Sequence, residues 1–385
     1  MASGKSSTYR LRLPGPTAVP ERIRQAMAAP VVSHRGPEFK EILTEAEARC
    51  QPVLGTSNDV LFFASSGTGV MEASLANILG EGDNALVVCN GQFGERFMMI
   101  AESLGLQPDA IEAPWGETVS PDAVARRLEG GDYRAVIAVH NESSTGAVSD
   151  LDLLGSVVRD TPAVLVVDSV SGLGGIEMQQ DDWGVDVVAS ASQKALMCPP
   201  GLGLVSVSDK AWKVIEDNRK RGRFYWDFLR AREAAAKGQT AFTSPVPLIM
   251  ALQEALRMID EEGLPHVLAR HQRVATGLRA GGAALGLPLF TKAPLVSDTV
   301  TVFTLPDGLD GTAVVRHMYE RYGTVIAGSR TKLQGKVIRI GTMGACTDDD
   351  IREDLLFLEK TMEDLDWPIE SGVAVEAASE ILLQA

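Results

Sequence analysis

Two neighbouring stretches, VVDSVSGLGG (Val166–Gly175) and SASQKALMCPPGLG (Ser190–Gly203), decide how this chain is read. Each opens in small and β-branched residues and then breaks into Ser, Gly or Pro. A short apolar run bounded by such breakers is the pattern of a buried strand running out into a loop. The pattern recurs on both sides, so strands are expected over Val60–Ala64, Ala85–Cys89, Ala135–Val139, Ala163–Val167, Val185–Ala189 and Leu202–Val207. Between them, Val70–Leu79, Phe97–Leu104 and Asp122–Leu128 carry apolar residues at helical spacing. Strands that alternate with helices form a mostly parallel sheet with helices on both faces. The fold class is α/β.

Further out, Trp212–Lys237 reads as charged and helical, and Pro245–Glu262 as a long helix leading away from the sheet. Beyond about Leu264 the character changes. Short strands at Val300–Leu305 and Val337–Ile340 stand among helices, which suits a smaller α+β domain. The segment LRLPGPTAVP (Leu11–Pro20) is too rich in Pro for a helix interior and is expected to cross the surface as an extended arm. The tail Gly372–Ala385 is expected to add a helix that caps the core. The resulting division is an arm at 1–20, a large domain at 21–258 and a small domain at 259–385.

The 385 residues are 45% hydrophobic and 23% charged, which fits a globular protein with enough material for more than one core. Net charge is 36 − 51 = −15, which argues against nucleic acid or an anionic membrane as a partner. It leaves room for a small anionic substrate held by a local cluster of Arg and backbone N–H groups. Cys50, Cys89, Cys198 and Cys346 form no CxxC or Cys/His pattern, so they read as reduced thiols and no metal site is expected. The opening residues MASGKSST carry no apolar signal region, no run is long enough to span a bilayer, and LLQA matches no C-terminal address. A cytoplasmic location is the expectation.

Asp168 ends one expected strand and Lys194 follows the next, 194 − 168 = 26 residues later. In open α/β sheets ligands bind beyond the carboxyl ends of strands. An aldehyde cofactor needs an amine that condenses with it and then yields to the substrate's amine, and Lys194 can supply it. A pyridine ring that must stay protonated as an electron sink needs a carboxylate, and Asp168 can supply that. Separately, an Asp at a strand end is often a helix cap and such a Lys is often solvated; together they point to pyridoxal phosphate. FASSGTGV (Phe63–Val70) offers Ser66, Gly67 and Thr68 at a strand-to-helix turn, a place suited to phosphate, though a plain tight turn reads the same way. It is neither a spaced dinucleotide fingerprint nor a Walker loop. Phe93 in NGQFGER can stack on a ring or pack in the core. Ser143 in HNESSTG (His140–Gly146) can bond near the ring or make a turn, and His140 can be catalytic or structural. Arg339 in VIRIGTMG suits a substrate carboxylate, or an ion pair on its strand.

With these pieces in order, the chain resembles the class V aminotransferases of fold type I, near the alanine–glyoxylate and serine–pyruvate enzymes. PGPTAVP (14–20), SHRGPEF (33–39), SSGTGVMEA (65–73), SQKALMCPPGLG (192–203) and TSPV (243–246) extend the resemblance nearly end to end. It implies a sheet of the seven-stranded type and Lys194 as the Schiff-base residue, with Asp168 on the pyridine nitrogen. Ser66, Gly67, Thr68 and Gln193 are implied around the phosphate, and Phe93 in the stacking place where relatives often have Trp. Ser143 and Val170 are implied along the ring, and Arg339 with backbone at Gly15 on the substrate carboxylate. It also implies a homodimer in which Thr243, and at the position relatives give to Tyr, Thr240, reach the neighbouring subunit's phosphate. The implied reaction moves the amino group of alanine or serine to glyoxylate or pyruvate; aspartate, ureidoglycine and aminoethylphosphonate are donors of related enzymes. A cysteine-desulfurase-like lyase would need a mobile Cys ahead of Arg339, whereas Cys346 follows it. A non-catalytic subunit of a larger complex would have lost Lys194 or Asp168.

Overall fold

The computed structural model describes residues 10–218, 223–329 and 332–383. Residues 1–9 of the expected arm and 384–385 of the tail lie outside the described residues.

Seven strands form the central sheet in the spatial order Val60–Ser65, Gly201–Val207, Val187–Ala191, Val164–Asp168, Ala135–Val139, Ala85–Cys89 and Asp109–Glu112. Neighbours from Val187–Ala191 to Asp109–Glu112 are parallel, while Gly201–Val207 runs antiparallel to both of its neighbours. The inner strands are buried on every residue, which is why their sequences read as unbroken apolar runs and not as alternation. One apolar cluster fills each face: Leu165, Val167, Leu252 and Leu256 lie on one side, Val87, Ile137, Val166 and Val205 on the other. The fold is an α/β sheet covered by helices, as the alternation of elements indicated.

Five of the six expected strands match the observed ones to within a residue at each end, and the sixth, expected at Val185–Ala189, lies two residues later at Val187–Ala191. Asp109–Glu112 escaped notice because it is a sheet-edge strand with exposed Asp and Glu. Trp212–Lys237 is not one continuous helix: helices span Asp209–Asp217 and Phe228–Ala235. The expected helix after the sheet is Val246–Glu262, and Leu264–Ala284 follows it directly.

Past that point Val300–Thr304 pairs antiparallel with Val337–Gly341 over a separate apolar cluster that includes Leu278, Phe303, Ile340, Leu355 and Leu358. The tail forms the helix Val373–Leu382, with Ala374, Ala378 and Leu382 buried, so its apolar face belongs to this core.

The arm does more than cross the surface. Arg10–Leu11 pairs with Thr324–Val325, Gly341 N–H donates to the Arg12 carbonyl at 2.8 Å, and Thr17 N–H donates to the Gln193 carbonyl at 3.1 Å. Arg12, Pro14 and Thr17 are buried. Proline keeps this stretch out of helix but does not keep it out of the interior, because its lone carbonyls still accept hydrogen bonds.

Candidate active site

The arm brings Gly15 against Lys194. A Cβ placed on Gly15 would stand 2.5 Å from the Lys194 Nζ, and the backbone φ there is +115°. The Lys194 amine donates to the Pro14 carbonyl. Lys194 sits in the connection between Val187–Ala191 and Gly201–Val207, held by a Thr17 hydroxyl that donates to its own carbonyl at 3.1 Å. Burial lowers the amine to about 8, against the pull of Asp168 and with a push from Arg339 and Arg96.

Asp168 ends its strand and is 3% exposed. Its Oδ1 accepts the Val170 N–H at 2.7 Å, the local turn that the sequence allowed. Burial pushes its carboxyl up to about 6 despite that bond and the nearby Lys194 and Arg96 cations.

The turn after Val60–Ser65 opens the helix Gly67–Ile78, with Ser66 as N-cap accepting from Gly69 N–H at 3.4 Å. The first N–H groups of a helix, here at Gly67 and Thr68, have no intrahelical acceptor and carry the positive end of the helix dipole. A Cβ on Gly67 would lie 2.8 Å from Val170, so this backbone reaches the chamber wall because it has no side chain.

Ser66, Gly67, Thr68, Phe93, Ser143, Asp168, Val170, Gln193 and Lys194 line one cavity of about 160 Å³. A second cavity of about 970 Å³ shares Phe93, Ser143 and Lys194 with it and adds Gly15 and Arg339. The Arg339 guanidinium donates to the Gly328 carbonyl at 2.8 Å and to the Ser143 carbonyl at 3.1 Å. Thr240 and Thr243 line neither; they border a separate recess with Phe62, Tyr225 and Phe242. His140 is structural, its Nδ1 2.9 Å from the Ser169 Oγ, with burial holding its pKa down at about 4.

The sequence reading missed Arg96. It lines both cavities, donates to the Thr68 hydroxyl at 3.1 Å, and places its guanidinium 4.4 Å from the centre of the Phe93 ring. Its signal was its position three residues after Phe93 on a helix, which puts both on one face.

The first cavity is lined by Gly67 and Thr68 at the start of that helix, by the Arg96 guanidinium, by the Asp168 carboxyl and by the Lys194 amine. Gln193 Oε1 is buried there without a protein partner. This donor and acceptor set fits pyridoxal phosphate. The lyase reading does not fit: Cys346 is 2% exposed and burial raises its thiol to about 12, so it is no mobile thiolate.

An α/β sheet with a buried Asp at one strand end and a half-buried Lys beyond another, beside a helix N-terminus, defines the fold-type-I class of pyridoxal-phosphate enzymes. The match of the class-V aminotransferase family to residues 17–353 is more specific. The chain belongs to that family. It is 38% identical to the small subunit of soluble hydrogenase of a Synechococcus species, covering 97% of this chain and 98% of that one. It is 37% identical to L-aspartate–glyoxylate aminotransferase of Paracoccus denitrificans, over 96% and 94% of the two chains. It is 33% identical to serine–glyoxylate aminotransferase of Methylorubrum extorquens, over 99% and 98%. The solved structure of ureidoglycine–glyoxylate aminotransferase of Bacillus subtilis superposes with a TM-score of 0.94 at 30% identity, over 98% of both chains.

Proposed function

We propose that this aminotransferase moves the amino group of a small L-amino acid, serine or alanine, to glyoxylate or pyruvate in two half-reactions at one site. The observation that carries the reading is the shared chamber, in which the Lys194 amine and the Arg339 guanidinium line one cavity. A carboxylate gripped by Arg339 holds the donor while Lys194 works on its α-carbon.

Pyridoxal phosphate, when bound, supplies the aldehyde that takes up the donor's amine and the ring that withdraws electrons from its α-carbon. Ser66, Gly67, Thr68, Gln193 and Arg96 would hold the phosphate; Phe93, Ser143 and Val170 would frame the ring, and Asp168 would face its nitrogen. Lys194 Nζ would take the α-proton from the donor and deliver it to the carbon that was the cofactor's aldehyde carbon, and a pKa near 8 leaves a useful neutral fraction near neutrality. Gly15 keeps the arm's backbone close to that amine without filling its space.

The acceptor glyoxylate is supported by the names of several relatives, and the small donor by the serine–glyoxylate enzyme. An aspartate donor is the second reading, favoured by the Paracoccus relative.

We further read the chain as a homodimer in which Thr240 and Thr243 complete the partner's phosphate site. The surface beside them supports this: Phe224 is 66% exposed, and Tyr225 stacks on Phe242 with ring centres 5.1 Å apart. The division into arm 1–20 and domains 21–258 and 259–385 is supported by the separate apolar cluster around Phe303 and Leu355. A cytoplasmic location is supported by four free, buried cysteines and by a lack, among the described residues, of any helix long and apolar enough to cross a membrane.

The test is the visible spectrum of the purified protein with pyridoxal phosphate, before and after L-serine, L-alanine or L-aspartate. Conversion of the band by one of them, reversed by glyoxylate, supports the reading and ranks the donors. A Lys194-dependent band that none of them converts overturns the donor assignment. No such band at all overturns the enzyme reading.

A further inference from the structure

The helix Gln92–Ser103 presents Phe93 and Arg96 to the cofactor chamber, yet its N-cap residue is Gly91 and no side chain of its own caps it. Its first N–H groups are met from another element. Phe93 N–H donates to Glu142 Oε2 at 2.9 Å and Gly94 N–H to the same oxygen at 3.4 Å. Gln92 N–H donates to the Ser144 Oγ at 3.1 Å, and that hydroxyl in turn donates to Glu142 Oε1 at 2.5 Å. Ser144 N–H adds a bond to Oε1 at 3.1 Å.

Glu142 is fully buried, and among the described residues no cation forms an ion pair with it. Its charge is met by these donors and by the positive end of the helix dipole. Gly91 shows why the cap comes from outside. Its φ of 170° and ψ of −164° are extended backbone that any residue adopts, so conformation does not demand glycine. Space does: a Cβ at 91 would lie 2.4 Å from the Glu142 Cγ and 2.8 Å from the Ser144 Oγ. The Glu142 side chain fills the volume in which an ordinary N-cap side chain would stand. Glu142 is also the neighbour of Ser143, whose carbonyl accepts from Arg339.

We propose that Glu142 is a positioning residue for the cofactor chamber: it caps, from a separate strand end, the helix that carries Phe93 and Arg96, and so fixes both against the ring and phosphate places. This rests on reading that chamber as the pyridoxal-phosphate site. Removing the cap costs the helix its first-turn bonds, and the fraying reaches Phe93 first and Arg96 one turn later.

The experiment compares the full chain with Glu142→Ala, Gly91→Asp and the double variant. The readouts are thermal unfolding of the cofactor-free protein, pyridoxal-phosphate affinity, dichroism of the bound cofactor, and kcat and KM. Glu142→Ala is expected to lower the unfolding midpoint and to weaken cofactor affinity about tenfold, with diminished dichroism. Gly91→Asp alone is expected to do similar harm, because its side chain meets Glu142. The double variant is expected to recover most of both losses, since the new carboxylate caps the same N–H groups from the N-cap position and Glu142 is no longer in its way. A double variant no better than the worse single overturns the proposal, as does Glu142→Ala with unchanged affinity and dichroism. If Glu142→Ala does not fold, folding of the double variant decides in the same sense. Failure of the wild-type chain to bind pyridoxal phosphate would instead overturn the cofactor reading, while the unfolding midpoints would still test the cap.

Discussion

Gly15 and Lys194 are packed so closely that a methyl group on Gly15 would stand within 2.6 Å of the Lys194 Cδ, Cε and Nζ together. The amine therefore owes its place to an absent side chain on an arm that enters from the far end of the sequence. With φ at +115°, an L residue at 15 would also be strained, by about 1–3 kcal/mol. Gly15→Ala is expected to lower kcat/KM at least about tenfold. Its bound cofactor is expected to show a shifted visible band, because Lys194 must leave its position. Steady-state kinetics and an absorption spectrum check this; an unchanged spectrum would mean the arm yields instead.

Capture of pyridoxal phosphate by the cofactor-free protein should accelerate as pH rises through about 8. Only the neutral amine adds to an aldehyde, and burial lowers Lys194 to about 8 from the ordinary value of 10.5. Half of the amine is then neutral near pH 8, where an ordinary lysine has well under about 1% in that form. Stopped-flow absorbance at a series of pH values gives the midpoint. A rate still climbing at pH 10 would show that Lys194 titrates as a solvated amine. Lys194→Ala should lose turnover by at least about 10³-fold and show no such phase, while retaining part of its affinity for the cofactor.

Arg339→Lys should raise KM for the amino acid donor by about 10- to 100-fold, with a smaller change in kcat. A charge-assisted bond is worth roughly 1.5–3 kcal/mol, and lysine keeps the charge but loses the two-pronged geometry. Arg339 also ties Gly328 and Ser143 together, so the melting temperature should be read alongside. A fall in kcat at constant KM would indicate that the tie, not the grip on substrate, is what was lost.

Much of this was legible from local pattern. Buried strands have apolar runs bounded by Gly, Asp, Asn or Pro, so six of the seven central strands and the Asp168–Lys194 pair could be read directly. Edge strand Asp109–Glu112 could not, because half-exposed residues there leave no apolar run. The depth of the arm could not either: Arg12 and Thr17 are polar, and what buries them lies more than 170 residues away in sequence, at Asp354 and Lys194. Arg96 and Glu142 were hidden for the same reason. Each has a role set by a partner on another element, Thr68 for one and the Phe93 amide for the other.

That arm supplies the last prediction. Arg12 Nε lies 2.7 Å from Asp354 Oδ2, and Arg10 Nη2 lies 2.7 Å from the other Asp354 oxygen. Asp354 is fully buried, and burial raises its carboxyl to about 6 against the pull of both arginines. A folded-state pKa above the unfolded value of 3.8 means that this group's contribution to stability is fully present below about pH 4 and is lost as pH rises through 6. Arg12→Ala leaves the carboxylate with one partner and should cost about 3 kcal/mol at pH 8, since breaking a buried pair strands a charge. At pH 5 the carboxyl is mostly protonated and has less charge to strand, so the cost should be clearly smaller. Arg12→Ala with Asp354→Asn should lose less at pH 8 than Arg12→Ala alone. Thermal melts of the three proteins at both pH values decide it. An Arg12→Ala deficit equal at pH 5 and pH 8 would mean that the arm is held by packing and backbone bonds, with the ion pair contributing little.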